Sequence, residues 1–475
     1  MTRPAPGSTR TGWTLAIVSI ALFMTALDNL VVGVALPSIR LDLGGSIESL
    51  QWTVNAYTLA FAVLLVTGAA LGDRFGRKRM FIIGLGIFTG ASALAALPPT
   101  IESLIAARAM QGLGAAIVLP LTLTLLSEAI APERRGVALG IWAGVSGLGV
   151  ALGPLVGGAV VEGISWQWIF WLNVPVGLVL LPVAMARLTE SFGEDDQLDL
   201  PGLALAGFGL TGVVFGIVRG EALGWTSTTV VASIAAGLVL LGAFVAWERR
   251  ARAPMLPMRF FSSRAFSATN GVSFAMFFGA FGAIFLLAQY FQTAQGYSPL
   301  EAGLRTLPWT GMPMIVAPIA GALSDRIGSR PLMAAGLALQ AGAIAWLAAI
   351  LEPGLAYASM IPAFVMAGTG MALVFAPSAN AVLAAVRPQE AGKASGATNA
   401  IRELGGVLGV AVLASLFSAN GSYASPQAFT DGMVAALPVG AAVLAVGALA
   451  ALFVPGRAQL AAPPAPVLPL HTRPI

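Results

Sequence analysis

Fourteen predominantly apolar stretches, each long enough to cross a hydrocarbon core of roughly 30 Å, follow one another along the chain. They lie at 13–35, 50–71, 80–97, 101–126, 137–161, 169–188, 199–218, 229–247, 267–289, 301–322, 331–350, 355–376, 396–417 and 433–454. In lipid every backbone polar group must be satisfied internally, so spans of this kind are helices. The charge content agrees, because only 10% of the 475 residues are charged, where a soluble domain carries about 25%. The sequence therefore predicts an all-α integral membrane protein with 14 transmembrane helices. The formal charge of +4 does not point to nucleic acid. Its basic residues sit in loops, where they set topology and meet anionic lipid headgroups.

Orientation follows from those loops. With a cytoplasmic N-terminus, 20 of the 25 Lys and Arg fall in segments on the cytoplasmic side. The other five are Arg40, Arg108, Arg219, Arg305 and Arg402, most of them in helices or at helix ends. Adding or dropping one span would scramble this bias. The chain is thus predicted to be multi-pass with both termini cytoplasmic. The apolar run from Trp13 continues past Asp28 with no small-residue cleavage site, which predicts a retained first span. Lysine occurs only at positions 78 and 393 against many arginines, a composition that suggests a GC-rich bacterial genome and hence a bacterial cytoplasmic membrane. There is no cysteine, and the single histidine, His471, lies in a Pro-rich tail. Disulfides and thiolate metal sites are excluded, and a proton relay must use carboxylates.

A charged turn occurs twice. Gly72-Asp73-Arg74-Phe75-Gly76-Arg77-Lys78-Arg79 joins two spans, and Ser324-Asp325-Arg326-Ile327-Gly328-Ser329-Arg330 joins two later ones. Two related halves would place this turn on one side of the membrane, as in a rocking transporter with its binding site between the halves. Asp73 and Asp325 lie 252 residues apart, whereas six spans of ~20 residues with their loops account for about 190. The excess fits two inserted helices. The predicted organisation is two six-helix pseudo-symmetric bundles, 1–190 and 267–455, with the inserted pair within 191–250. A basic cytoplasmic linker at 251–266 and a flexible tail at 456–475 complete it. Gly72, Asp73, Arg74, Gly76 and Arg77, with Asp325 and Arg326, are candidate gate residues.

Ionisable residues inside a span mark function, and few are present. Asp28 in the first span and Arg108 in the fourth lie roughly 12 and 10 Å from the outer ends of their helices, at matching depth. Gln111 shares the face of Arg108. Burial favours the neutral form of a carboxyl group, and a neighbouring guanidinium favours the charged form. A moving arginine contact, or a bound cation, would therefore load and release a proton at Asp28, with Arg108 as permanent modulator. The alternative is a static ion pair that fixes packing. Glu403, beside Arg402 in span 13, is either a second proton or cation site or a tie between helices at the inner gate.

Gly149, Gly153, Pro154 and Gly157 place small residues and a helix-softening proline in the fifth span, and Gly405-Gly406 with Gly409 is a milder copy in span 13. Phe274, Phe278, Phe281 and Phe285 form a stripe that either lines a cavity for flat or cationic molecules or packs against lipid and neighbouring helices. Trp52, Asn55, Tyr57 and Gln111 are lesser substrate-binding candidates. Glu301 after Ser298-Pro299 reads as a capping box.

These motifs together resemble the fourteen-span drug:proton antiporter branch of the major facilitator superfamily, over nearly the whole chain. Gly72 to Lys78 is similar to its loop 2–3 signature, Arg108-Ala109-Met110-Gln111-Gly112-Leu113-Gly114 to its helix 4 motif, and the span 5 Gly-Pro run to its antiporter motif. Leu27 to Pro37 resembles the helix 1 motif, with Asn29 in place of a small hydroxyl or β-branched residue. Asn399 to Gly406 resembles the helix 13 pattern, with Glu403 where a neutral Gln is commoner. The resemblance implies proton-coupled efflux of amphipathic or cationic drugs by alternating access, with no cofactor beyond the proton gradient. Its partners would be small lipophilic or cationic substrates, protons and lipids, and the protein would be a monomer and no enzyme. A rival within transport is an exporter dedicated to one metabolite or lipid. A membrane enzyme or sensor lacks support, because no metal-spaced cluster or Ser/His pair lies within the spans.

Overall fold

A computed structural model describes residues 6–130, 135–193, 198–386 and 390–455. The tail with His471, and Arg3, Arg134 and Arg387 of the charge tally, lie outside the described residues. The described residues are almost entirely helical, with short connections. Helices α1 (Pro6–Leu43), α2 (Ile47–Phe75), α3 (Arg77–Ala96), α4 (Ile101–Ala129) and α5 (Arg135–Gly163) come first. The sixth, α6, is Trp168–Trp171 joined through Leu172 to Asn173–Arg187. Next are α7 (Leu200–Leu223) and α8 (Thr228–Glu248), then a 3-10 turn at Met258–Ser262. The rest are α9 (Arg264–Thr293), α10 (Pro299–Thr310 with Met312–Ile327), α11 (Ser329–Ile350), α12 (Tyr357–Ala384), α13 (Ala391–Asn420) and α14 (Pro426–Ala451). Among the described residues, 13 spans are long and apolar enough to cross a membrane, and α5, with 29 residues, is the fourteenth. The tenth is not the continuous helix expected. It breaks at Gly311, two residues before Pro313, whose missing N–H cannot continue the ladder.

Packing repeats with an offset of eight helices. The pairs α1–α5, α2–α4, α3–α4 and α3–α6 recur as α9–α13, α10–α12, α11–α12 and α11–α14. The charged turns match in backbone detail. Gly76 has φ 100° and Gly328 has φ 85°, a region open to glycine at little cost, and their N–H groups cap the carbonyls of Gly72 and Ser324 at 3.0 and 2.9 Å. Both turns therefore lie at the same end of the molecule, called the turn face below. The glycine runs also correspond. Cβ atoms built at Gly149 and Gly153 would lie 2.8 and 2.7 Å from Ala26 and Leu30 on α1. Cβ atoms at Gly405 and Gly409 would lie 2.4 and 2.1 Å from the carbonyl oxygens of Phe274 and Phe278 on α9. Each half thus seats its fifth helix against its first through small residues.

Two seams join the halves, α2 with α13 and α5 with the first segment of α10. The inserted pair packs helix on helix, and α7 also lies along the first seam, where Val214 and Val218 meet Leu59 of α2 and Val407 and Ala411 of α13. An ion pair of 2.6 Å from Arg219 to Glu48 fixes its end. The inserted pair lies beside α2 and α13 and so touches both halves. Outward-facing Phe208, Val239, Ile315 and Val446 are 65–71% exposed, which suits a surface in contact with lipid rather than water.

Candidate functional site

The N-terminal half closes around one buried cluster. Asp28 and Arg108 are 0% and 1% exposed, and Arg108 Nη1 donates to Asp28 Oδ2 at 2.6 Å. Nη1 also donates to Gln111 Oε1 at 2.9 Å and Nε to the Thr53 carbonyl at 3.2 Å. The guanidinium lies over the Tyr57 ring, 4.3 Å from its centroid. Asp28 Oδ1 accepts from Asn173 Nδ2 at 2.8 Å and from Gln111 Nε2 at 3.2 Å. Ser92 Oγ accepts from both amides, at 3.4 and 2.8 Å. Five helices, α1, α2, α3, α4 and α6, therefore hold one neutral but highly polar knot. Asn173 and Ser92 went unmarked in the sequence reading. Their only signal was that each is an uncharged polar residue within an apolar span.

A second network surrounds the first turn. Arg77 donates to Asp73 Oδ1 through Nε at 2.8 Å and pairs with Glu128 of α4. Glu190, just past α6, accepts from the Lys78 and Arg79 backbone N–H groups at 2.9 and 3.2 Å. An acid at the start of α3 also complements the helix dipole. The Asp73 carbonyl accepts from Gly193 N–H at 3.0 Å. These contacts fasten α2, α3, α4 and the segment after α6 within one half. Of the equivalent turn, Arg326 is exposed, and the Asp325 side chain lies outside the described residues.

In the C-terminal half Arg402 is buried. It donates to Ser378 Oγ at 2.7 Å and to Asn399 Oδ1 at 3.4 Å, and covers the Phe375 ring at 4.7 Å. Its neighbour Glu403 lies within electrostatic reach of it, with no ion pair between the two among the described residues. Glu403 Oε2 is buried with no hydrogen-bond partner among the described residues, and the carboxylate lies within electrostatic reach of the Tyr57 hydroxyl across the seam.

Residues 18–410 match the Major Facilitator Superfamily. The chain belongs to the Major Facilitator Superfamily. It is 34% identical over 422 residues to the tetracenomycin C resistance and export protein of Streptomyces glaucescens, covering 88% of this chain and 78% of that one. It is likewise 34% identical over 409 residues to the multidrug resistance protein Stp of Mycobacterium tuberculosis, covering 86% and 76%. A crystal structure of a POT family transporter superposes with a TM-score of 0.69 at 13% identity, over 92% of this chain and 94% of that one. That likeness concerns the fold alone. The protein is a multi-pass facilitator related to bacterial drug and antibiotic exporters, and it belongs to a transporter family rather than an enzyme family.

The facilitator fold distributes the remaining candidates unevenly. The four phenylalanines of the stripe have different surroundings. Phe278 and Phe285 are 6% and 4% exposed, and the α9 backbone at Phe274 and Phe278 is covered by the glycines of α13. Phe274 borders a shallow apolar groove with Pro438 and Val439 of α14. Phe281 alone of the four stacks on Phe277, at 5.0 Å, which in turn meets Phe375 beneath Arg402. Trp52 packs into the α2–α7–α13 seam. Asn55 is fully buried, and neither amide atom has a hydrogen-bond partner among the described residues. Gly157 sits on Val31 of α1, while Gly158 and Pro154 meet α10. The Ser298 and Glu301 capping box is present as read.

Proposed function

We propose that this facilitator exports amphipathic or cationic compounds in exchange for protons, with Asp28 carrying the proton and the turn face cytoplasmic. The working halves would be 1–190 and 267–455, acting within a monomer in a bacterial cytoplasmic membrane. The observation that carries this reading is the fully buried carboxylate of Asp28, held by one guanidinium and two neutral amides from other helices. Every partner of the carboxylate is a donor, and a shift of α1 against α4 that withdraws Arg108 would leave it buried without its counter-charge, a state that proton uptake relieves. Such a shift is a rearrangement within the N-terminal half that accompanies the rocking of the halves. Binding of substrate in the state that keeps Arg108 in place would expel the proton again. The Asp73–Arg77–Glu128 network would hold the turn-face ends of α2, α3 and α4 together during that motion.

Arg108→Lys tests whether Arg108 is more than a counter-charge. Ammonium keeps the charge and loses the planar fork, hence the bond to Thr53 and the stacking on Tyr57. A lost charge-assisted bond of about 1.5–3 kcal/mol corresponds to roughly tenfold or more in rate. Export by vesicles of matched protein content should fall by that factor, and wild-type export would show that charge alone suffices.

Glu403→Gln separates substrate classes. A partly desolvated carboxylate without a hydrogen-bonding partner on Oε2 attracts a cation, and a neutral compound gains nothing from it. Export of cations, divalent ones above all, should weaken while export of neutral compounds persists. Equal loss of both would indicate a structural or proton-coupling role, and no loss would make Glu403 a bystander.

A dedicated exporter is the second reading, favoured by one relative whose name refers to a single antibiotic, tetracenomycin C. A panel of dissimilar cations and neutral drugs decides between them. Mutual competition supports broad export, and response to one compound class supports the dedicated reading.

A further inference from the structure

A pair of carboxyl groups lies outside both halves, at the turn-face base of the inserted helices. Asp199 caps α7, where Oδ1 accepts from Gly202 N–H at 2.9 Å and from Trp247 Nε1 at 2.7 Å. Glu248 ends α8 and is only 3% exposed, and its Oε2 accepts from Leu256 N–H at 3.1 Å. The remaining oxygens, Asp199 Oδ2 and Glu248 Oε1, are buried and have no donor among the described residues. Both turn onto Gly202, where a Cβ would lie 2.4 Å from the first and 2.8 Å from the second. The two carboxyl groups lie within electrostatic reach of each other. Arg249, Arg250 and Arg252, which follow Glu248 directly, are exposed, and no described cation hydrogen-bonds either free oxygen.

We infer that Asp199 and Glu248 form a proton-binding site, holding one shared proton between Oδ2 and Oε1. Two buried acceptor oxygens turned onto the same glycine repel each other when both carboxyl groups are ionised. One proton converts the repulsion into a hydrogen bond, and the pair titrates as a unit. Two carboxylate oxygens alone are too few to satisfy a calcium or magnesium ion, which takes six or more oxygen ligands. The site has a structural consequence. Leu256, tied to Glu248, packs on the cluster of Phe260, Phe266, Val382, Ala394 and Ala397 at the ends of α9, α12 and α13. At its other end α7 is tied to α2 through Arg219 and Glu48. The inserted hairpin is thereby a strap across both halves, and the shared proton secures its attachment to the C-terminal half. This site is independent of Asp28.

The test uses the purified full chain and two variants, Glu248→Gln and Asp199→Asn, in each of which an amide N–H replaces the shared proton. Infrared spectra of the wild type, taken from mildly acid to mildly alkaline pH, should contain a titrating protonated-carboxyl C=O band that both variants lack. A proton bound more tightly in the folded than in the unfolded chain stabilises at low pH, and that contribution is lost as pH rises. The wild-type melting temperature should accordingly fall with rising pH more steeply than that of Glu248→Gln, and Asp199→Asn provides the same comparison if the first variant does not fold. Retention of the band and of the wild-type slope in the variants overturns the inference. So does stabilisation of the wild type at alkaline pH by sodium or calcium that the variants lack, because a metal ion and not a proton would then fill the site.

Discussion

Asp28→Asn is expected to reduce gradient-driven export to that of vesicles lacking the protein. Asparagine keeps the shape of aspartate, and its Oδ1 can still accept from Asn173 and Gln111. It cannot carry a proton, and its amide N–H would face Arg108 Nη1, where Asp28 Oδ2 now accepts at 2.6 Å. Removing one partner of a buried ion pair costs about 3–5 kcal/mol. Here Gln111 Oε1 and the Thr53 carbonyl remain as acceptors for the guanidinium, so the variant should reach the membrane in reduced amount and still fail to transport. Efflux normalised to protein content measures this. Unchanged normalised efflux would remove Asp28 from the coupling mechanism.

Gly303→Val should have an effect of similar size for a different reason. On the face opposite the turns, α5 and α10 meet backbone to backbone. A Cβ at Gly303 would lie 2.2 Å from the Pro154 carbonyl oxygen, and one at Gly158 would lie 2.3 Å from that of Pro299. Neither backbone atom can yield as a flexible side chain would, so the valine must force the helices apart, with an overpacking penalty of about 1–3 kcal/mol. Leu300 N–H, which donates to Glu162 Oε2 at 3.0 Å, sits at this seam. Because the chain contains no cysteine, spin labels on cysteines introduced at positions 162 and 300 report the separation without background. The valine variant should show a longer separation and lose export, since a cycle that cannot close this face cannot alternate. An unchanged separation with normal export would show that the seam is no gate.

Much of this architecture was legible because it is written in composition and repetition. The fourteen apolar stretches, the charged turn at Asp73 and its copy at Asp325, and the glycine runs in α5 and α13 each carry a local physical requirement visible in one dimension. The matching depth of Asp28 and Arg108 could be counted in helix rises, and the two do meet. What stayed hidden depends on tertiary partners. Asn173 and Ser92 complete the cluster from α6 and α3, yet a lone polar residue in a span carries no motif. Glu128 and Glu190 complete the Asp73 turn from 51 positions beyond Arg77 and 112 beyond Lys78. Helical spacing correctly put Phe274, Phe278, Phe281 and Phe285 on one face. It could not tell that the backbone of α13 covers much of that face, because close approach is a property of Gly405 and Gly409 on another helix. The break at Gly311 was missed because the apolar run continues through it.

Substrate-induced proton release from purified protein in weakly buffered detergent solution is the most direct measure of proton-coupled export through Asp28. With a compound panel, the wild type should release protons upon adding an exported compound, and Asp28→Asn should bind the same compound and release none. Equal proton release from Asp28→Asn, or binding and transport by the wild type without any proton released, would contradict this mechanism.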